Sequence, residues 1–372
     1  MEEIRRQIAL PAFQVISFDV FDTLLLRPLS DPDDLFRLMQ TDFERLSGRT
    51  HSFRQLRKDA ERHARAAMQQ REDITLADIY RALAQTTDLA ESLCRQLMAL
   101  ETSLELQLIQ PRPAGCELLR HALDCRKRVI LTSDMYLPAS TVEAMLHKCG
   151  LDGWEHIFMS GEVGCIKSSG NLYRHASRTM SVPLRSMLHI GDHPLGDGES
   201  ARWTGLSACV YRRPMTALHA YAKRTAETGS IAEGCLQALV SARFLDEPFD
   251  PQSSRALLGY AALGPWMLLH SAEDAPADLL PHAQAFLQDW QQLDSLMIAQ
   301  ETFSALWPIV KSRMTQSPLE QAEALLADIA ALRAPCRQDR PFSGHPLVRR
   351  VKYHLYRFPR VRKALSRLTS RV

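Results

Sequence analysis

The chain has 372 residues, of which 45% are apolar and 24% charged, with a formal net charge of +2. That length suits two or three domains with ample packed interior, and the composition is that of a globular protein, which excludes low-complexity and collagen-like classes. No run of eighteen apolar residues is present, so a hydrophobic transmembrane helix is not expected, and the opening MEEIRRQIALPAF lacks a secretory signal pattern, which points to the cytoplasm.

The small net charge hides an asymmetry. Residues 349–372 hold nine Lys or Arg and no acid, leaving 36 basic against 43 acidic residues, a net −7, elsewhere. Any polyanion contact is therefore local to that end, and no nucleic-acid-binding fold accompanies it, so nucleic acid is not an expected partner. The eight cysteines are scattered without a CxxC pair, so neither a zinc site nor a disulfide framework is indicated.

In chain order, the first element is an apolar run (Val15, Ile16, Phe18) that delivers Asp19 to a strand end, with Thr23 four residues on, in FDVFDTLL. The C-terminal ends of strands are where an open α/β sheet holds its reactive groups. From Arg27 to Pro111 the pattern turns helical. DPDDLFRLMQTDFERL, SFRQLRKDAERHARAAMQQ and ITLADIYRALAQ read as helices, and Asp88 to Ile109 repeats Leu89, Leu93, Leu97, Leu100, Leu104 and Leu108 at three- and four-residue intervals. The block reads as a helical insertion whose leucines serve the core.

From Pro113 helices and strands alternate: GCELLRHALDC then RVILTS, STVEAMLHKCG then HIFMS, NLYRHASRTM then MLHIG, DGESARWTG then SACVY. Such alternation predicts α/β architecture, a doubly wound parallel sheet with helices on both faces. Three of its strands end in polar residues: VILTSD at Val129 to Asp134, GCIKSSG at Gly164 to Gly170 after HIFMS, and LHIGDHPLGD at Leu188 to Asp197. Residues 215–340 read as helix-rich with no catalytic signature. The last segment is basic and amphipathic, and Pro359 should break or kink it. It is either a solvated helix or one lying on anionic membrane through Tyr353, Tyr356 and Phe358.

An aspartate, a hydroxyl, a lysine and a Gly-Asp segment, in that order over residues 12–213, resemble the four motifs of the haloacid dehalogenase-like (HAD) superfamily of phosphohydrolases. FDVFDT and SDMYLP look more narrowly like the subgroup associated with bacterial surface-polysaccharide biosynthesis. The resemblance implies a HAD-like core at 12–27 and 111–213, a helical cap at 28–110, a helical C-terminal domain at 214–340 and a basic tail at 341–372. It implies that Asp19 is the nucleophile, forming an aspartyl-phosphate. Asp19, the Phe21 carbonyl, Asp192 and Asp197 would bind Mg²⁺ directly or through water, Asp197 alternatively fixing the lysine. Ser133, or Thr132 if the strand ends one residue sooner, would donate to a phosphoryl oxygen, with Thr23 beside it, and Lys167 would neutralise the Asp19 and phosphoryl charges. Magnesium suits such a set because it demands hard oxygen ligands.

One position departs from the family. HAD phosphatases carry a second aspartate two residues after the nucleophile as acid and base, and here that residue is Phe21. Asp22 is adjacent but, by strand alternation, should point away unless a sharp turn after Asp19 redirects it; a cap residue or water could serve instead. A positioned acid/base contributes ~10²- to 10⁴-fold in rate. The resemblance implies action on a phosphorylated metabolite, a sugar phosphate or a lipid-linked one among them. The alternatives are a catalytically weak scaffold binding a glycosyltransferase or membrane partner and, third, a dehalogenase, a class that needs no metal and usually lacks the Gly-Asp pair. His189 and His193 flank Asp192, and His189, on an apolar strand, reads as a satisfied core residue rather than a metal ligand.

Overall fold

The computed structural model describes residues 1–29 and 31–211, with short stretches between 231 and 291. Most of the expected C-terminal helical region and all of the basic tail, 341–372, lie outside the described residues.

Five parallel strands form the centre: β1 (Val15–Phe18), β4 (Arg128–Ser133), β5 (His156–Met159), β6 (Met187–Gly191) and β7 (Ser207–Val210). Their order is β5-β4-β1-β6-β7, so β1 sits in the middle and successive strands fan out to either side. The register pairs Val15 with Arg128 and with Met187, which brings the ends of β1, β4 and β6 to one edge. The predicted α/β class, the strand before Asp19 and all four strands of the alternation are present.

Strand alternation sorts the side chains onto two faces. Ile16, Phe18, Val129, Leu131, Leu188 and Ile190 belong to one buried cluster, with α7 (Pro113–Asp124) and α8 (Ala139–Lys148) packed there through Leu118, Leu119, Val142 and Met145. Val15, Ile130 and Met187 belong to the other, covered by α10 (Asn171–Met180) through Leu172, Tyr173 and Ala176. Apolar residues on both faces of one strand are what a doubly covered parallel sheet requires.

Between β1 and α7 the chain forms a short antiparallel pair, β2 (Leu25–Leu26) with β3 (Gln110–Pro111), which frames the entry and exit of the helical stretch. That pair is two residues long and has no periodic signature. Inside it lie α2 (Asp34–Leu38), α3 (Gln40–Ser47), α4 (Phe53–Ala67), α5 (Leu76–Thr87) and α6 (Glu91–Leu108). DPDDLFRLMQTDFERL, read as one helix, is two, broken at Met39. Thr75 starts α5 with a reciprocal cap, its hydroxyl accepting from the Asp78 N–H while the Asp78 carboxylate accepts from the Thr75 N–H. Of the leucine stripe in α6 and its approach, Leu89, Leu97, Leu104 and Leu108 are buried, as core leucines should be.

The link from α4 to α5 fastens this stretch to the sheet. Glu72 N–H donates to the Gly164 carbonyl (2.9 Å) and Leu76 N–H to that of Tyr136 (2.8 Å), while the Arg71 guanidinium donates to the Gly161 carbonyl. The Glu72 carboxylate accepts from Ile166 N–H (3.0 Å), Ser169 Oγ (2.6 Å) and Asn171 Nδ2 (2.6 Å). Asp73 accepts from Ser160 Oγ at 2.5 Å, and Ser160 Oγ accepts from Met135 N–H at 2.8 Å. One link thus ties down both the turn after β4 and the loop after β5.

Farther along, α12 (Gly264–Met267) and α13 (Leu280–Gln291) are described. Phe286 and Trp290 of α13 join the same buried cluster as the sheet, and Gln110 Nε2 donates to the Asp289 carbonyl at 3.2 Å. Among the described residues no helix is long and apolar enough to cross a membrane, and seven cysteines are free thiols.

Candidate active site

The residues singled out at strand ends come together at the C-terminal edge of the sheet. Asp19 follows β1, Asp192 follows β6, Ser133 ends β4, and Lys167 stands on the loop between β5 and α10; all four are buried. The Lys167 ammonium donates to Asp19 Oδ1 at 2.7 Å and lies 2.6 Å from Asp197 Oδ1. Burial alone would discharge this lysine, but Asp19 and Asp197 outweigh it and hold its pKa well above the usual lysine value. Likewise, burial works against the Asp197 carboxylate, yet Lys167 and His189 hold it far below the usual carboxylate range.

Carboxylate oxygens of Asp19, Asp192 and Asp197 lie within 4.8 Å of one another. The Thr23 hydroxyl sits between two of them, 3.4 Å from Asp19 Oδ2 and 3.4 Å from Asp192 Oδ1. It reaches this place because the backbone after Asp19 turns at once: the N–H groups of Thr23, Leu24 and Leu25 all donate to the Val20 carbonyl. Asp22 takes a left-handed conformation (φ 58°) in that turn, which asparagine and aspartate tolerate better than other non-glycine residues. Strand alternation, the basis for expecting Asp22 to face away, ends at Phe18 and does not govern it. Phe21 is buried, and the Arg27 guanidinium lies 4.3 Å over its ring while pairing with both oxygens of Glu105 at 2.8 and 2.9 Å. A phenyl ring can neither give nor take a proton.

Beneath the carboxylates runs a buried polar row. Thr132 Oγ1 lies 2.7 Å from Ser17 Oγ, Ser17 Oγ lies 2.8 Å from His189 Nδ1, and His189 Nε2 lies 3.1 Å from Asp197 Oδ1. A neutral imidazole has one donor and one acceptor. The carboxylate needs the donor, so Nε2 gives its proton to Asp197, Nδ1 accepts from Ser17, and Thr132 donates to Ser17. Thr132 is thereby spent in the interior, which leaves Ser133 as the hydroxyl at the strand end. His189 is a satisfied core residue, and it also orients Asp197. The other Asp197 oxygen accepts the His193 N–H at 2.9 Å, so both oxygens are engaged, and the residue's contacts are those of a lysine holder.

The glycine of the Gly-Asp pair has a steric reason. A Cβ on Gly191 would overlap the Asp197 carboxyl group, which folds back against the strand end across the π-helical stretch Pro194–Ser200. Gly191→Ala is expected to cost about 1–3 kcal/mol, read as a lower urea midpoint at unchanged slope. An unchanged midpoint would show that Asp197 has room to move.

A metal fit can be judged from the donors. Both ring nitrogens of His189 are used, and His193 Nδ1 accepts the Gly196 N–H at 2.9 Å. What remains is oxygen from Asp19, Asp192 and the Thr23 hydroxyl, with Asp197 adjoining, a hard set that fits Mg²⁺ rather than a nitrogen-seeking metal. Three carboxylates around one lysine also leave two formal negative charges in excess.

The sequence reading used Asp134 only as the polar residue after Ser133 and gave it no role. That residue is exposed, and its Oδ1 accepts the Lys167 backbone N–H at 2.9 Å. The sequence reading passed over Glu72 and Asp73, which brace the loops carrying Lys167 and Met135. The only local signal for those two was an Arg-Glu-Asp run between two helices.

No family model matches this chain, and no curated protein matches it. Solved structures to which it is similar include a 2-haloacid dehalogenase from Pseudomonas syringae pv. Tomato DC3000, with 16% identity over 54% of this chain and 86% of that one and a TM-score of 0.43. An L-2-haloacid dehalogenase from Xanthobacter autotrophicus has 18% identity over 61% and 88%, with a TM-score of 0.40. A haloacid dehalogenase-like family hydrolase from Xanthomonas campestris has 16% identity over 58% and 94%, with a TM-score of 0.39.

Proposed function

We propose that the chain is a HAD-like phosphohydrolase or phosphotransferase, with Asp19 as nucleophile. The observation that carries this reading is Lys167 held between the Asp19 and Asp197 carboxylates with Asp192 alongside, all at the ends of parallel strands. Asp19 and Asp192, with Thr23 near both, would hold Mg²⁺, which when bound screens phosphoryl oxygens from the attacking carboxylate. Lys167 holds the Asp19 carboxylate in place at 2.7 Å, and its charge is placed to meet the oxygens of the transferring group. Ser133 donates a hydrogen bond to the same group. Asp197, oriented by His189, sets the position of Lys167. The helical stretch 34–108 acts as the cap, fastened beside the site through residues 71–76.

The charge balance favours this reading over dehalogenation. A 2-haloacid is itself an anion, and a metal-free site with two negative charges in excess would repel it, whereas a divalent cation brings the same site to neutrality. The first substrates to test are sugar phosphates of the kind used in surface-polysaccharide assembly, in keeping with the FDVFDT and SDMYLP segments. A scaffold role for a glycosyltransferase or membrane partner is favoured by one observation, the burial of Phe21 under Arg27 where an acid would stand.

The test is phosphate release from a panel of phosphorylated metabolites. Turnover of at least one is expected with Mg²⁺, lost on chelation and restored by Mg²⁺. Absence of release across the panel with Mg²⁺, together with a partner bound equally by Asp19→Asn, would favour the scaffold.

A further inference from the structure

We propose that Asp134 is the acid and base of this reaction, taking the role that no group at position 21 can fill; the assignment rests on the phosphoryl-transfer reading above. Asp134 stands one residue beyond Ser133, and its carboxylate is pinned by the N–H of the same lysine whose ammonium grips Asp19. The carboxyl group is thus held on the lysine loop, near enough for the Asp19 charge to act on it, while the residue's exposure lets it exchange protons with water.

Three charged groups act on it from the elements packed around it: Lys167 from the loop before α10, Asp19 from the end of β1, and Asp73 from the link before α5. Loss of hydration around the carboxyl raises its pKa, Asp19 and Asp73 raise it further, Lys167 opposes them, and the balance pushes it up to about 6. Such a group is present in both protonation states near neutral pH, as an acid that must later act as a base requires. The neighbouring candidates are committed elsewhere. The charge of Asp22 acts on Arg27, and its carbonyl accepts from Arg112. His193 uses Nδ1 to accept from Gly196.

In the first step an Asp19 oxygen forms a bond to phosphorus as the ester P–O bond breaks, and protonated Asp134 gives its proton to the departing alkoxide, releasing an alcohol. In the second, water attacks the aspartyl-phosphate phosphorus, its proton passes to the Asp134 carboxylate, and the bond to Asp19 breaks to release inorganic phosphate. Both residues return to their starting states.

The test compares wild type, Asp134→Asn and Asp22→Asn in Mg²⁺ with p-nitrophenyl phosphate, whose leaving group needs no proton, and an alkyl phosphate, whose leaving group does. For Asp134→Asn we expect a burst of one p-nitrophenol per enzyme at the wild-type rate, followed by a steady state ~10²-fold slower. On the alkyl ester, phosphorylation of the enzyme itself should slow by ~10²-fold or more. Asparagine keeps an oxygen for the Lys167 N–H, so a structural role alone would leave both esters unaffected or slow them in parallel. Equal losses on the two esters, no loss on either, or the selective loss in Asp22→Asn instead, would overturn the assignment while leaving an active Asp19. A wild type with neither burst nor release on either ester would remove the phosphoryl-transfer reading itself.

Discussion

Asp19→Asn is expected to lower Mg²⁺-dependent phosphate release by at least ~10³-fold, equivalent to about 4 kcal/mol of barrier, while the protein remains folded. A carboxamide is not a nucleophile, and the substitution removes one of the acidic residues that would hold a cation. The fold should survive because Lys167 keeps Asp197 as an ion-pair partner at 2.6 Å, and the amide retains an oxygen able to accept from the ammonium. Phosphate release compared with a thermal melt separates the two effects. Retained release would mean that Asp19 is only a structural partner of Lys167.

The second large effect concerns stability. Arg57 of α4 is fully buried and pairs with both oxygens of Glu101 on α6 at 2.8 Å each, with Glu61 3.2 Å away. Tyr80 donates to Glu101 at 2.7 Å, and the rings of Phe36 and Tyr136 lie 4.7 and 5.0 Å from the guanidinium. Arg57→Met would strand a buried carboxylate with one hydroxyl donor. The expected cost is about 3–5 kcal/mol, or roughly 10 °C in Tm, because the desolvation of Glu101 is no longer offset. Arg57→Met combined with Glu101→Met should recover most of that loss, since replacing both partners by apolar groups removes the stranded charge. Equal melting temperatures for the single and double variants would show that packing, not the ion pair, was lost. Tyr136 ties this cluster to the turn after β4, so the single variant should also disturb the approach to Ser133.

How much of this was legible in the sequence depended on how local each signal was. Asp19, Ser133, Lys167 and Asp192 each sit where an apolar run gives way to polar residues, a pattern written within six or seven positions, and they converge in space. The five strands announced themselves in the same way. By contrast, β2 and β3 are two residues each, too short for alternation to register, and the break at Met39 carries no glycine or proline to mark it. The pairs Arg57–Glu101 and Arg27–Glu105 join residues 44 and 78 positions apart, and no window contains both partners. Asp22 lies beyond the strand's last residue, in a turn where strand alternation gives no guide to its direction. The sequence favoured Ser133 over Thr132 because Asp134 follows it, whereas the contact of Thr132 with Ser17, itself beside His189, depends on the register of three strands and could not be read there. Glu72 and Asp73 were missed, and Asp134 was given no role, because their partners sit on loops far away in the chain, although all three border the lysine loop.

The central claim is that the Asp19 carboxylate receives the phosphoryl group. The most direct measurement is rapid acid quench of the enzyme turning over a phosphate ester with Mg²⁺, followed by peptide mass analysis. The account predicts an acid-stable, hydroxylamine-labile phosphoryl adduct on the peptide bearing Asp19, absent from Asp19→Asn. Turnover with no adduct, or with the phosphoryl group on a different residue, would contradict it.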